Sequence, residues 1–206
     1  SRHEIISMLF NMGNEANRMK LMAGYEWTDS QMRRIFSNLN AADLEFVQST
    51  WDTIETLWPE MVKLEKRDTG VEPKKVMPTP YKVYGKQGEL VGELRGGYWP
   101  IKYDRRGTGA KFSQRMSEEG PVTTGGQSRV ATSRSATKER TSAIGELYLD
   151  FEQVLTAHIN DVILDLTHRE AIRSIDRLTQ RDDVKKAIQA AFGHEYYSQI
   201  DPWLRA

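Results

Sequence analysis

The sequence predicts a mainly α fold: a bundle of N- and C-terminal helices with a small inserted β-hairpin and a long, flexible basic loop. Three observations predict it. Apolar residues recur every three or four positions in both terminal thirds, the period of one helix face. Two short β-leaning runs flank glycines at 81–94. Residues 102–140 hold few large apolar side chains and many Gly, Ser, Thr and Arg, a composition that cannot bury enough surface to offset its ordering entropy.

Taken in order, Ile5, Leu9, Met12, Ala16, Met19 and Ala23 form one stripe and predict a helix over about 3–23, with Gly24 as its stop. Thr28 caps a second helix, about 29–38, carrying Met32, Ile35, Phe36 and Leu39. Asn40 can cap a third, with the stripe Leu44, Val47, Trp51, Ile54, Trp58 and Met61. Pro59 should kink it, or restart it with proline in the first turn, and Gly70 closes the block. The three prolines of VEPKKVMPTPY favour an extended connector, so 71–101 reads as connector and hairpin. In GGYWPIKYD, Tyr98 and Trp99 are expected to pin the hairpin to the helices. Asp150 with Gln153 resembles a capping box for a long helix, about 147–179, with Phe151, Leu155, Val162, Leu166 and Ile175 as its apolar face. RDDVKKAIQAAFG is a shorter helix stopped by Gly193, and HEYYSQIDPWLRA adds a terminal turn or short helix. We expect one helical domain over 1–206, and the start at Ser1 leads us to expect a fragment of a larger protein.

Composition narrows the function classes. The chain has no cysteine, which excludes disulfide scaffolds, cysteine zinc sites and thiol nucleophiles. Its formal net charge is zero, so the whole molecule is not an evident polyanion binder. The charge is segregated, however. Residues 102–140 contain nine Lys/Arg against four Asp/Glu, which makes the segment +5 and the remainder −5. No apolar run approaches the roughly 20 residues a membrane helix needs.

Three stretches, FNMGNEANRMKLMAGYEW, GGYWPIKYD and HINDVILDLTHREAI, are similar in wording and order to parts of the very large polyvalent proteins of tailed phages and related mobile elements. The resemblance spans roughly residues 3–205. It implies a domain of a virion-packaged or host-entry protein, found in the phage particle or the host cytoplasm. Its motifs are not catalytic signatures and carry over no catalytic residues.

The chemistry-bearing residues fall into three groups. Asn11, Asn14, Asn17 and Arg18 lie beside the first stripe with Gly13 among them; they suit a polar binding surface or, better, a helix crossing where Asn side chains bond a neighbouring backbone. His158, Asp161, Asp165 and His168, spaced three, four and three, align on one helix face. Imidazole and carboxylate suit a transition metal, but ten helical residues span about 15 Å, so one ion reaches only two neighbours. A polar seam accounts for the pattern better, and no metal or cofactor is assigned. Arg105, Arg106, Lys111, Arg115, Arg129 and Arg134, with Lys138, Arg140 and nearby aromatics, suit contacts to nucleic-acid phosphates and bases, or a solvated arm. GTGAKFS lacks the phosphate-loop spacing. The five tryptophans, Trp27, Trp51, Trp58, Trp99 and Trp203, are expected core anchors.

The expected function is a non-catalytic structural or interaction domain of a phage virion-associated protein, with a part in host entry. Its partners would be other domains of the parent protein or other virion proteins. The alternative is a nucleic-acid-binding module using the basic loop.

Overall fold

The computed structural model describes residues 1–104 and 145–205, with side chains described to residue 199. The basic segment from residue 105 onward, including Arg105, Arg106, Lys111, Arg115, Arg129 and Arg134, lies outside the described residues, as does the Trp203 side chain. Among the described residues the fold is mainly helical with one two-stranded antiparallel hairpin. In chain order the elements are α1 (Arg2–Phe10), a 3-10 turn (Asn11–Gly13), α2 (Glu15–Tyr25), α3 (Asp29–Phe36), α4 (Ala41–Glu55) and α5 (Trp58–Thr69). Strands β1 (Tyr81–Tyr84) and β2 (Leu90–Leu94) follow, then α6 (Phe151–Thr179), α7 (Asp182–Phe192) and α8 (His194–Arg205). Among the described residues no helix is long and apolar enough to cross a membrane.

Local chemistry explains most helix ends. Capping boxes start α1 at Ser1–Glu4, α3 at Thr28–Gln31 and α4 at Asn40–Asp43, each satisfying backbone N–H groups that the first turn leaves unpaired. Pro59 sits in the first turn of α5, where its missing N–H does no harm, so the predicted third helix is two helices. Asp150 accepts from the Gln153 amide at 3.1 Å and fixes the start of α6. The predicted start at 147 is therefore early by a few residues. Leu147 instead pairs with Tyr103 in a short antiparallel bridge, flanked by bonds from Asp104 N–H to the Glu146 carbonyl and from Tyr148 N–H to the Lys102 carbonyl.

The first predicted helix is corrected more substantially. It breaks at Asn11–Gly13, and Asn14 adopts an extended conformation to cap α2. The break resets the helical phase. Leu9 and Met12 are buried as the stripe requires, but Met19 is 57% exposed, and Asn14, Asn17 and Leu21 take the buried positions of the second half. Gly24 does not stop α2, which ends one residue later with Glu26 in the left-handed region at φ 55°. A Cβ at Gly24 would lie 2.4 Å from the Gly145 carbonyl oxygen, so its small size serves close packing.

The described residues form two compact units. The first comprises 1–59, 74–104 and 145–157. Its core joins α1–α4, the hairpin and the start of α6 around Phe10, Phe36, Trp51, Val83, Leu94, Trp99, Leu147 and Val154. Phe10 stacks on Trp99 at 4.0 Å and meets Trp51 edge-on at 6.3 Å. Fully burying side chains of this size contributes roughly 1.5–3 kcal/mol each. The N- and C-terminal segments thus share this interior, as Phe151 N–H bonding to Ser7 Oγ at 3.0 Å also illustrates. In the hairpin Tyr81 faces Leu94 and Val83 faces Gly92, and the register shifts between Val83 and Tyr84. The second unit, 60–73 and 158–205, buries Met61, Leu64, Val162 and Tyr197.

Candidate functional site

Three arrangements concentrate polar chemistry, and two of them are structural. In the first unit, the Gly13 carbonyl accepts from both Thr79 N–H and Gly97 N–H at 2.9 Å. Asn14 Oδ1 accepts from Asn17 N–H at 2.9 Å, and Asn14 Nδ2 reaches the Gly97 carbonyl at 3.4 Å. Asn17 Nδ2 donates to the Trp99 carbonyl at 2.8 Å. Cβ atoms at Gly13 and Gly97 would fall 2.6 and 2.5 Å from Trp51 atoms, so the indole packs against bare backbone. Gly96 turns the chain at φ 88°. GGYWP is therefore a joint tying the hairpin's exit to α1 and α2. Asn11 Nδ2 bonds to the Ser7 carbonyl at 2.9 Å. Arg18 pairs with Asp29 at 2.6 Å and lies 5.8 Å from the Tyr81 ring centre. Hydrogen bonding to Asp29 raises the Arg18 pKa.

In the second unit a charged seam joins α5 to α6. Arg169, 4% exposed, donates to Asp165 Oδ1 at 2.7 Å and to Glu65 at 2.5 Å, with Asp68 at 3.6 Å. Arg173 also pairs with Asp68. Burial alone would lower the Arg169 pKa, but its bonds to Asp165 and Glu65 outweigh burial and raise it. Removing one member of such a group leaves a buried charge uncompensated.

The aligned His/Asp set therefore divides. His158 and Asp165 are buried on the face of α6 that also carries Val154, Val162 and Arg169, whereas Asp161 and His168 are exposed. His168 Nδ1 lies 2.6 Å from Thr167 Oγ1, which bonds to the Ile163 carbonyl at 2.7 Å. The Thr167 hydroxyl is thus shared between the helix backbone and the imidazole, and the His168 tautomer sets which of the two donates across their contact. Among the described residues no three His, Asp or Glu side chains converge to hold a metal ion. Asn14 and Arg18 belong to the first unit and Asp165 and His168 to the second, each with its own partners.

The third arrangement is an open groove in the first unit with a volume of about 440 Å³. One wall is a single face of α4: Ala41, Leu44, Glu45, Gln48, Ser49 and Asp52. The other is Val91–Leu94 of β2. A Cβ at Gly92 would come 2.8 Å from Leu44 Cδ2, so the glycine lets strand and helix approach. Gln48 closes one end, accepting from Arg95 N–H at 2.8 Å and donating to the Gly96 carbonyl at 3.4 Å. Glu45, Asp52 and Glu93 make the lining acidic.

Sequence reasoning missed this groove and the seam. Their only local signal was charge at stripe-adjacent positions: Glu65 and Asp68 after Met61 and Leu64, and Arg169 in line with Val162 and Asp165. The second unit also leaves Ile163, Ile175, Leu178, Phe192 and Tyr196 about half exposed or more. Ile175 is thus corrected from the predicted apolar face to the surface, because the partner elements on α6 meet Val162, Asp165 and Arg169 instead. Comparison of the sequence with protein-family models gives no match, and neither the curated proteins nor the solved structures give one.

Proposed function

We propose that this chain is a non-catalytic structural or interaction domain of a large phage protein, associated with the virion and acting during host entry. The observation that carries the reading is where polar groups go. The Asn cluster, Arg18 and Asp165 are bound to backbone or counter-charges inside each unit. An acidic groove and large apolar side chains are what the described surface offers. The resemblance of three stretches to polyvalent phage proteins suggests the context. A photo-crosslinking side chain at Phe192 or Ile175 in the intact parent protein should give discrete protein adducts, and the same group at exposed Glu152 should not. Equal, diffuse labelling at all three positions would overturn the reading.

The segregated charge of 102–140 favours a second reading, nucleic-acid binding. Single- and double-stranded DNA titrated at two salt concentrations separates the two. Binding that weakens steeply with salt supports the second reading, and no binding at low ionic strength removes it.

A further inference from the structure

We infer that the groove between α4 and β2 takes an extended, basic segment of a partner protein, paired edge-on to β2. The inference deepens the interaction reading above and rests on it.

The strand presents its edge. Successive strand residues point to opposite faces, yet Val91, Gly92, Glu93 and Leu94 all line the groove. The register shift opposite Val83 and Tyr84 breaks that alternation at Val91, and the edge is marked by Gln48, whose side chain bonds the strand's outgoing backbone at Arg95 and Gly96. The sheet has two strands, and among the described residues no backbone hydrogen bond joins Leu90–Leu94 to any segment other than β1. An unpaired edge of this kind is a template for another strand, with side-chain pockets supplying selectivity. Gln48 satisfies the backbone at Arg95 and Gly96, so added pairing would end at Leu94.

Charge selects the occupant. Three carboxylates and no basic side chain line the groove. Asp52 pairs with Arg95 at 2.6 Å, and Glu93 lies 3.8 Å from Lys82. Both pairs are solvent-exposed and so weak and exchangeable. Glu45 has no counter-charge among the described residues. Phosphate would be repelled here, which sets nucleic acid aside for this surface. Pairing β2 with β2 of a second copy would bring like charges together around the two-fold. A segment alternating basic and apolar residues meets neither objection. Its cations would meet the exposed carboxylates of Glu45 and Glu93, and its apolar side chains the partly buried Val91, beside the buried Leu44.

The test is fluorescence anisotropy with the whole chain and a short labelled peptide of alternating Arg and Val. Binding should appear at low ionic strength and weaken with salt. Replacing Arg by Glu in the peptide should abolish it, and N-methylating alternate backbone nitrogens should weaken it at least about tenfold. The double variant E45Q/E93Q, at exposed positions and checked for an unchanged melting curve, should lose about fivefold or more. No binding, equal binding of the N-methylated peptide, or unchanged affinity in E45Q/E93Q would overturn the assignment. Discrete adducts at Phe192 or Ile175 alongside any of those results would overturn the groove alone and leave the interaction reading standing.

Discussion

A methyl group at Gly13 would sit inside contact distance of Trp51 and of the Gly97 carbonyl oxygen at 2.7 Å. We expect Gly13→Ala to destabilise by about 1–3 kcal/mol, the usual range for overpacking, read as a lower urea midpoint with unchanged slope. Tyr25 supplies a pH signature. Its hydroxyl donates to the Leu147 carbonyl at 2.6 Å. Burial, reinforced by the charges of Glu146, Asp104 and Glu4, pushes its pKa up from 10 to about 12. In the unfolded chain the phenol titrates near its ordinary value, so over that window the unfolded state loses a proton the folded state keeps. The contribution is fully present below the unfolded pKa and declines as pH rises toward the folded one. Urea midpoints across that alkaline range should fall less steeply in Tyr25→Phe than in the parent. At this scale the sequence signals residue type well: the asparagines were legible as helix-crossing groups. Their partners, Gly97 and Trp99, lie some eighty positions away, and local spacing carries no information about them.

Among the elements, caps and breaks were the most readable features because they depend on neighbours in the chain. Thr28, Asn40, Pro59 and Gly193 act where the sequence places them. Thr28→Ala should cost about 1 kcal/mol, measurable in thermal melts. The seam between α5 and α6 behaves differently. Arg169→Met should destabilise by about 3–5 kcal/mol, because buried Asp165 and partly buried Glu65 lose the cation they pair with. Replacing Glu65, Asp165 and Arg169 together by Met, Leu and Met should recover most of that loss. A triple variant no better than Arg169→Met would show that the seam contributes more than charge compensation. The phase shift at Asn11–Gly13 was the element-scale feature that periodicity hid: the stripe from Ile5 to Ala23 scores as one helix, although Asn14 leaves helical geometry to cap α2.

Across the whole molecule the two units differ in how much apolar surface they bury. The first encloses Phe10, Phe36, Trp51 and Trp99, whereas α7 in the second buries no residue. Amides of α1 and α4 should therefore exchange with deuterium more slowly than those of α7 and α8, and the reverse order would contradict this distribution of stability. The sequence by itself determined the helical terminal thirds, the caps at Thr28, Asn40 and Asp150, and the hairpin, since each follows from residues within a turn or two of one another. Only the tertiary structure decided which side of α2 and α6 faces inward, that Arg169 is buried among Glu65, Asp165 and Asp68, and that β2 lies beside α4 across an open, acidic groove. The physical reason is that burial and charge pairing are set by segments far apart in the chain, whose approach no local pattern encodes.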